Sequence, residues 1–269
     1  MTAAPQAPVV CILDSGTNEA GAEGWNYLAG NEDLTDEAGH GDLIYQLLES
    51  ETPNARLIML KCFESAEETE EKKGTETITQ ALYDAVDLWQ ADVISISWTR
   101  NEESEELYEA VCYARENGAV LVAAAGNLSL STPLGSLVYP AAWEEVIGVG
   151  GADTDEKGEP VSSLWYLKSE AVFVSGSPAL PSEEARKALS QPRQRLQTFH
   201  VSADGNYEGE KGSSFAVPRV SGKIAEYLFQ KPEASETEIR EWLKDTVIDT
   251  GEEGYDPVFG WGFLKTDNE

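Results

Sequence analysis

Four polar residues stand at junctions between apolar segments, and their types would together suit attack on an acyl group. Asp14 and Asn127 each end an apolar run. His40 and Ser214 each precede apolar residues at helical spacing. Acyl transfer needs a nucleophile, a base, a carboxylate that orients the base, and donors for the oxyanion. One residue of each type is present: Ser214, His40, Asp14 and Asn127.

Each of these residues alone has an ordinary structural explanation. An Asp before Ser-Gly usually forms a turn, and a Ser before a helix usually caps it. A single His is more often structural than catalytic, and only His40 and His200 offer an imidazole. The functional interpretation therefore depends on whether the fold brings the four residues together.

Predicted strands alternate with predicted helices along most of the chain. Short apolar runs predict strands, and apolar residues at helical spacing predict helices. This alternation indicates an α/β fold, a doubly wound and mostly parallel sheet with helices on both faces. The acidic stretch 64–76 and the segment after Asp14 are interpreted as loops, and 158–210 is the least regular part. The predicted strands are 9–14, 55–63, 91–97, 119–127 and 146–151, and the helices begin near 40, 78, 107 and 236.

The expected strand directions place the candidate residues at one edge. Strand ends and helix starts meet at the carboxyl edge of such a sheet, where the functional crevice lies. Asp14, Ser97-Trp98 and Asn127 end strands, while His40 and Ser214 begin helices. We therefore expect all of them at one cleft.

Composition limits the partners and the location. With 269 residues, 41% of them hydrophobic, the chain can bury a large core, and we expect one domain over residues 1–269. A net charge of −30 excludes nucleic acid and anionic membranes as favourable partners. No apolar run approaches the roughly 20 residues of a membrane span. The N-terminus lacks the features of a secretory signal, so we expect a cytoplasmic protein with three free cysteines and no disulfide or zinc site.

The motifs around the four residues resemble those of the subtilisin-like serine proteases, the subtilases. ILDSGT resembles the family's Asp motif, GHG its His motif, and AAAGN the strand with its oxyanion Asn. GSSFAVPRVSG resembles the nucleophile motif Gly-Thr-Ser-Met-Ala-x-Pro-x-Val-x-Gly. The order Asp, His, Ser is also that of the family. SLVYPAAWEEVIGVGG and GWGFLK extend the resemblance over essentially the whole chain.

The resemblance implies a subtilisin-like fold and a role for each residue. Ser214 would be the nucleophile, His40 the base, Asp14 its orienting partner and Asn127 an oxyanion donor. Ser213 stands where the family has Thr. A peptide or protein would be the substrate. No cofactor is expected, and calcium is left open because its ligands are not identifiable in the sequence. The segment 153–158 superficially resembles a calcium loop, but Lys157 stands where an oxygen ligand is needed, so we interpret it as a turn and identify no metal site. Substrate contacts would come from Ser97, Trp98, Thr99, Arg100, Ala125 and Gly126.

Several departures from the family pattern suggest narrow specificity. The segment Ser97-Trp98-Thr99-Arg100 replaces the usual Ser-Leu-Gly-Gly, which should reshape the substrate pocket. Asp42 follows the His motif and should raise the pKa of His40. No room is seen for a separate propeptide, which is more typical of an intracellular or maturation protease. The acidic loop 64–71 should attract cationic peptides, whereas Arg100 could pair with an acidic substrate side chain.

Three functions fit these observations. The first is a serine endopeptidase of narrow specificity that cuts peptide bonds through an acyl-enzyme. The second is a peptide ligase or macrocyclase that uses the same triad and passes the acyl group to an amine. The third is an inactive homologue that binds peptides. Retention of Asp14, His40, Asn127 and Ser214 favours an active enzyme.

Overall fold

A parallel sheet with helices on both faces forms the core of the computed structural model. It describes residues 6–65, 68–69, 71–127, 137–155, 159–161, 200–255 and 259–265. The strands are β1 Val9–Asp14, β2 Glu23–Asn26, β3 Arg56–Lys61, β4 Val93–Ile96, β5 Val120–Ala124, β6 Val146–Thr154, β7 Pro160–Val161, β8 Val201–Asp204, β9 Asn206–Tyr207, β10 Glu210–Lys211 and β11 Phe263–Leu264. The helices are α1 His40–Glu51, α2 Lys72–Asp87, α3 Glu105–Glu116, α4 Ser213–Gln230 and α5 Glu236–Thr246.

The strand order reverses beside β1. The order across the sheet is β11-β8-β6-β5-β4-β1-β3-β2, and every pair along this path is parallel. The chain moves from β1 to β3 on one side and then crosses to β4 on the other. Such a reversal opens a crevice at the carboxyl ends of the strands. The predicted doubly wound α/β fold is confirmed.

Two apolar cores cover the two faces of the sheet. Along β1 the side chains alternate, so Val10 and Ile12 face one core while Cys11 and Leu13 face the other. The first core packs against α1, α4 and α5, and the second against α2 and α3. Because both faces are covered, the strands read as continuous apolar runs. The sheet is thus a rigid platform for the residues at its edge.

Two local predictions were wrong. Helix α2 begins at Lys72, inside the acidic stretch that was expected to be a loop. The apolar pattern did not reveal this start, because the first turn is polar and buries only Gly74 and Thr75. Strand β2 lies in the segment expected to be a loop after Asp14. It is a four-residue edge strand that pairs only with β3, and its sequence EGWN has no apolar alternation. Most of the irregular segment 158–210 lies outside the described residues.

Among the described helices, none combines the length and the apolarity needed to cross a membrane. The three cysteines are free, and two of them are buried in the core, Cys11 in β1 and Cys62 directly after β3. Burial raises the pKa of both thiols, because it disfavours the charged thiolate. These two cysteines are therefore packing residues.

A buried ion cluster ties α4 to the strands and to α1. Arg219 Nη1 lies 2.7 Å from Glu51 Oε1 and Nη2 lies 3.7 Å from Asp204 Oδ2. Arg219 also donates to the carbonyl oxygens of Asp204 and Asn206, each at 3.2 Å. All three charged side chains are at most 9% exposed. The cluster therefore holds the helix that begins with Ser213-Ser214.

We expect Arg219→Met to lower the free energy of unfolding by about 3–5 kcal/mol, since it leaves buried carboxylates without their cation. The matched control is Arg115→Met, which breaks the more exposed pair with Glu236 and should cost about 1 kcal/mol or less. Urea unfolding of the two variants measures both values. Equal losses would show that the Arg219 cluster has no special structural role.

Candidate active site

A cleft of about 610 Å³ lies at the carboxyl edge of the sheet, where β1, β4 and β5 end. His40, Asn127 and Ser214 all line it, and Asp14 lies behind His40. The structure thus brings together the four residues that the sequence singled out. The rest of the lining is Ser15, Ala38, Gly39, Leu43, Phe63, Glu64, Ser65, Ser97, Trp98, Thr99, Ala124, Gly126, Glu210, Lys211, Ser213 and Phe215.

Asp14 and His40 form a hydrogen-bonded pair. Asp14 is fully buried at the end of β1, and its Oδ1 lies 2.8 Å from His40 Nδ1. Oδ1 also accepts from the Ser15 N–H at 2.8 Å and from the Ser15 hydroxyl at 3.3 Å. A carboxylate can only accept, so Nδ1 must carry the proton and Nε2 presents its lone pair. This is the tautomer that a general base requires.

The turn after Asp14 holds the start of α1. The Gly41 N–H donates to Ser15 Oγ at 3.0 Å. A side chain at Gly41 would come within 2.4 Å of the Gly16 carbonyl oxygen, so only glycine permits this approach. The close packing places His40, the first residue of α1, beside the Asp14 carboxylate.

Two opposing effects act on the pKa of His40. Burial of the imidazole lowers the pKa, but the charge of Asp14, its hydrogen bond and the charge of Asp36 together raise it above its usual value. Asp36 is buried and accepts from the Asp42 N–H at 2.9 Å. The expectation that Asp42 raises this pKa was wrong, because its carboxylate instead binds Thr17 Oγ1, the Asn18 N–H and the Gln46 amide.

The two serines at the start of α4 have different environments. Ser213 is 1% exposed, and its hydroxyl is buried without a hydrogen-bond partner among the described residues. Ser214 is partly exposed and lines the cleft. Ser97 Oγ donates to the Ser214 carbonyl oxygen at 2.9 Å and so fastens the helix start to the end of β4. Accessibility therefore favours Ser214 as the nucleophile.

Asn127 presents its amide nitrogen beside Ser214. Its Oδ1 accepts from the Ser213 N–H at 2.9 Å, which fixes the orientation of the side-chain amide. A Cβ atom built on Gly212 would lie 3.0 Å from Ser214 Oγ and 3.2 Å from Asn127 Nδ2. Both atoms therefore border one small space, which the absence of a side chain at Gly212 leaves open.

A contact between two rings links His40 to Phe215, the residue after Ser214. The ring centroids of His40 and Phe215 are 5.9 Å apart with an interplanar angle of 51°. Tyr207 also contacts Phe215, and the centroids of these two rings are 6.2 Å apart. The contacts of the described residues include no hydrogen bond between His40 and Ser214. Such catalytic bonds are often long without substrate and tighten when it binds.

The expected substrate contacts divide into two groups. Ser97, Trp98, Thr99 and Gly126 line the cleft, with Trp98 packed edge-on against Phe63. Two residues do not line it, and their placement corrects the sequence-based expectation. Arg100 is 5% exposed and donates from Nη1 to Thr75 Oγ1 at 2.9 Å, so it cannot receive a substrate carboxylate. Ala125 is buried, and its N–H donates to the Val149 carbonyl oxygen.

His200, the other imidazole, lies at a different place. Arg240 Nη1 lies 2.8 Å from His200 Nε2. His200 lines a separate cavity together with Trp261. Burial and the charge of Arg240 lower the pKa of His200 to about 4. It is therefore a neutral structural residue, and His40 is the base available to Ser214.

The turn expected in segment 153–158 falls largely outside the described residues, and Asp153 and Thr154 form the end of β6. Asp155 donates its N–H to the Glu159 carbonyl oxygen at 2.9 Å, and its Oδ1 accepts from the Glu159 N–H at 3.0 Å. These bonds close the hairpin between β6 and β7, while residues 156–158 lie outside the described part. No cluster of potential metal ligands occurs among the residues described.

Three residues of the site were not predicted. Ser15, Asp36 and Phe215 shape it through the contacts given above. The Ser-Gly pair after Asp14 and the Asp shortly before the helix start were available signals, because both residue types commonly cap or turn the chain. Nothing in the local pattern indicated that Phe215 would contact His40, since the two residues belong to helices that are far apart in the sequence.

We expect Gly212→Ala to lower kcat/KM for peptide hydrolysis by about 10²-fold, because the new methyl group would occupy the space between Ser214 Oγ and Asn127 Nδ2. The backbone at Gly212 is extended, so alanine fits the local conformation. Steady-state kinetics together with a thermal melt separate a blocked site from a destabilised fold. An unchanged kcat/KM would show that the reacting carbonyl group does not enter this space.

We expect Asp36→Asn to move the acidic limb of the kcat/KM profile to lower pH. His40 accepts a proton only when neutral, and loss of the Asp36 charge lowers the pKa below which it is protonated. Asp42→Asn is the matched control, since Asp42 lies in the first turn of α1 and its N–H binds Asp36, but its carboxylate does not act on the pKa of His40. A limb that stays in place in Asp36→Asn, or moves equally in both variants, would contradict this explanation.

The sequence is similar to that of a known protein family over most of its length. The profile of the Subtilase family (Peptidase_S8) matches residues 6–262. The chain is 27% identical over 277 residues to subtilisin DY of Bacillus licheniformis, covering 96% of this chain and 89% of that protein. It is 23% identical over 273 residues to the minor extracellular protease Epr of Bacillus subtilis, covering 95% of this chain. It spans only 37% of the length of Epr.

A solved structure shows the same fold. The chain superposes on sphericase with a TM-score of 0.71 at 20% identity, covering 97% of this chain and 92% of sphericase. The likeness agrees with the parallel sheet and the helices on both its faces. Since the family profile covers nearly the whole sequence, the chain belongs to the subtilase family of serine proteases.

Proposed function

We propose that the protein is a serine endopeptidase of narrow specificity that uses Asp14, His40 and Ser214 as a catalytic triad. The observation that carries this proposal is the 2.8 Å contact between Asp14 Oδ1 and His40 Nδ1 behind a cleft that Ser214 also lines. Membership of the family supports peptide or protein substrates. The remaining contacts of the cleft supply the other groups that peptide hydrolysis needs.

Acylation begins at Ser214. His40 Nε2 accepts the hydroxyl proton while Ser214 Oγ attacks the carbonyl carbon of the scissile bond. The imidazolium that forms is stabilised by Asp14, which keeps the proton on Nδ1. The tetrahedral intermediate then collapses, the C–N bond breaks, and His40 gives its proton to the leaving amine. In deacylation, His40 accepts a proton from water as the water oxygen attacks the acyl carbon. The ester bond to Ser214 Oγ then breaks, His40 returns the proton to Ser214, and the carboxylic acid product leaves.

The oxyanion has two donors within reach. Asn127 Nδ2 is aimed by the bond that its Oδ1 accepts from Ser213. The Ser214 N–H belongs to the first turn of α4, where backbone donors lack intrahelical acceptors. The positive end of the helix dipole lies at the same point. These fixed donors stabilise the charge as it develops, which is the largest contribution in many acyl-transfer enzymes.

Narrow specificity is supported by the wall after β4. Thr99 lines the cleft at a position where the family pattern has glycine, and Trp98, which stands at the Leu position, is 4% exposed and lines the cleft beside it. The Thr99 side chain reduces the room for substrate, so fewer residues fit beside the scissile bond. Arg100 takes no part in this selection, since it is buried against Thr75.

A cytoplasmic location is a further part of the proposal. It is supported by three free cysteines, because reduced thiols are usual in cytoplasmic proteins. The name of Epr describes an extracellular protease, so the relatives do not favour this location. Fractionation of the cells that express the chain, with detection by antibody, would decide the point.

We expect Ser214→Ala to abolish peptide hydrolysis, with a loss in kcat of about 10⁶-fold as for the nucleophile of subtilisin. Ser213→Ala is the matched control and should keep much of the activity, since the Ser213 hydroxyl is buried whereas Ser214 is partly exposed. Hydrolysis of a fluorogenic peptide library measures both. Equal losses in the two variants would overturn the assignment of the nucleophile.

A further inference from the structure

Most permanent charges on the cleft lining are neutralised by a partner. Glu64 Oε2 lies 2.9 Å from Lys61 Nζ, and Lys211 Nζ lies 3.1 Å from Asp153 Oδ1. Glu210 also lines the cleft, and within the described part of the chain it has no ion pair. It is thus the unbalanced charge of the described lining.

The backbone that carries Glu210 is fixed close to Ser214. Strand β10 pairs antiparallel with β9, so that Glu210 lies opposite Tyr207. The Gly212 N–H then donates to the Gly205 carbonyl oxygen at 2.9 Å. Four residues of chain span at most about 14 Å, so the Glu210 backbone lies within that distance of Ser214. A substrate residue next to the scissile bond, or the one beyond it, comes within reach.

Strand alternation separates Glu210 from its neighbouring cation. Successive side chains on a strand point to opposite faces. Lys211 is held by Asp153, which lies in β6, and this leaves Glu210 on the other face of β10. Lys211 is therefore paired with Asp153 and does not neutralise Glu210.

We infer that Glu210 determines specificity by favouring substrates with Lys or Arg near the scissile bond at its end of the cleft. The inference rests on the proposed function, because it assigns a substrate class to the same site. Glu210 is exposed, so the ion pair with substrate is worth about two- to fivefold in kcat/KM. The net charge of −30 attracts all cationic peptides, but only a contact selects a position within the substrate.

The test compares Glu210→Lys with Glu208→Lys. Glu208 lies in the turn of the same hairpin but does not line the cleft. Both variants replace Glu by Lys, so they have the same net charge. Peptides that carry a single Lys, Gln or Glu are scanned through each position on both sides of the cut. The Gln peptides report basal hydrolysis, so a failure of the proposed function, with no cleavage of any peptide, is distinct from a failure of the selectivity.

The native chain and Glu208→Lys should both prefer Lys over Glu about two- to fivefold or more at one position, and Glu210→Lys should reverse the preference there. The Gln peptides should be cleaved at similar rates by the native chain and Glu208→Lys, and within Glu210→Lys they set the rate to which its Lys and Glu peptides are compared. The inference is overturned if Glu210→Lys keeps the native preference at every position. It is equally overturned if Glu208→Lys changes the preference as much, because the effect would then come from overall charge.

Discussion

The candidate site depends on one buried carboxylate at the end of a central strand. Asp14 is enclosed by the neighbouring strands and by α1, and its Oδ1 receives three donors, from the Ser15 backbone, the Ser15 hydroxyl and His40. A buried charge is tolerated only when such bonds compensate it. Each bond also fixes geometry, because Ser15 in turn binds Gly41. The orientation of the imidazole thus follows from the way in which the chain solvates Asp14.

The sheet topology brings the remaining groups to this carboxylate. Strand order reverses beside β1, so α1 and α4 share one face and start at the same edge. His40 and Ser214 therefore lie in the first turns of two helices packed against each other, and Phe215 of the second helix contacts His40. The Arg219 cluster and the bond from Ser97 hold the second helix from behind. Reactive groups on rigid elements need little rearrangement before reaction.

Motif order and apolar periodicity were sufficient to predict the fold class and to bring the polar residues to one edge. Arg100 was misplaced, because its burial depends on Thr75 in a helix whose first turn is polar and gave no apolar signal. Asp42 was misinterpreted for a similar reason, since its partners Thr17 and Asn18 lie in a loop of unpredictable path. Local sequence patterns predict local structure, whereas contacts between segments that are distant in sequence determine the position and the partners of a charged side chain.

The coupling of Asp14, His40 and Ser214 is tested most directly by the rate at which a fluorophosphonate labels the chain. Intact mass and peptide mapping should show one adduct, on Ser214, in the native protein. Asp14→Asn should slow this labelling by about 10⁴-fold while circular dichroism stays native, because the imidazole would lose the required tautomer. An adduct on another residue, or equal labelling rates in the native and Asp14→Asn chains, would contradict the triad.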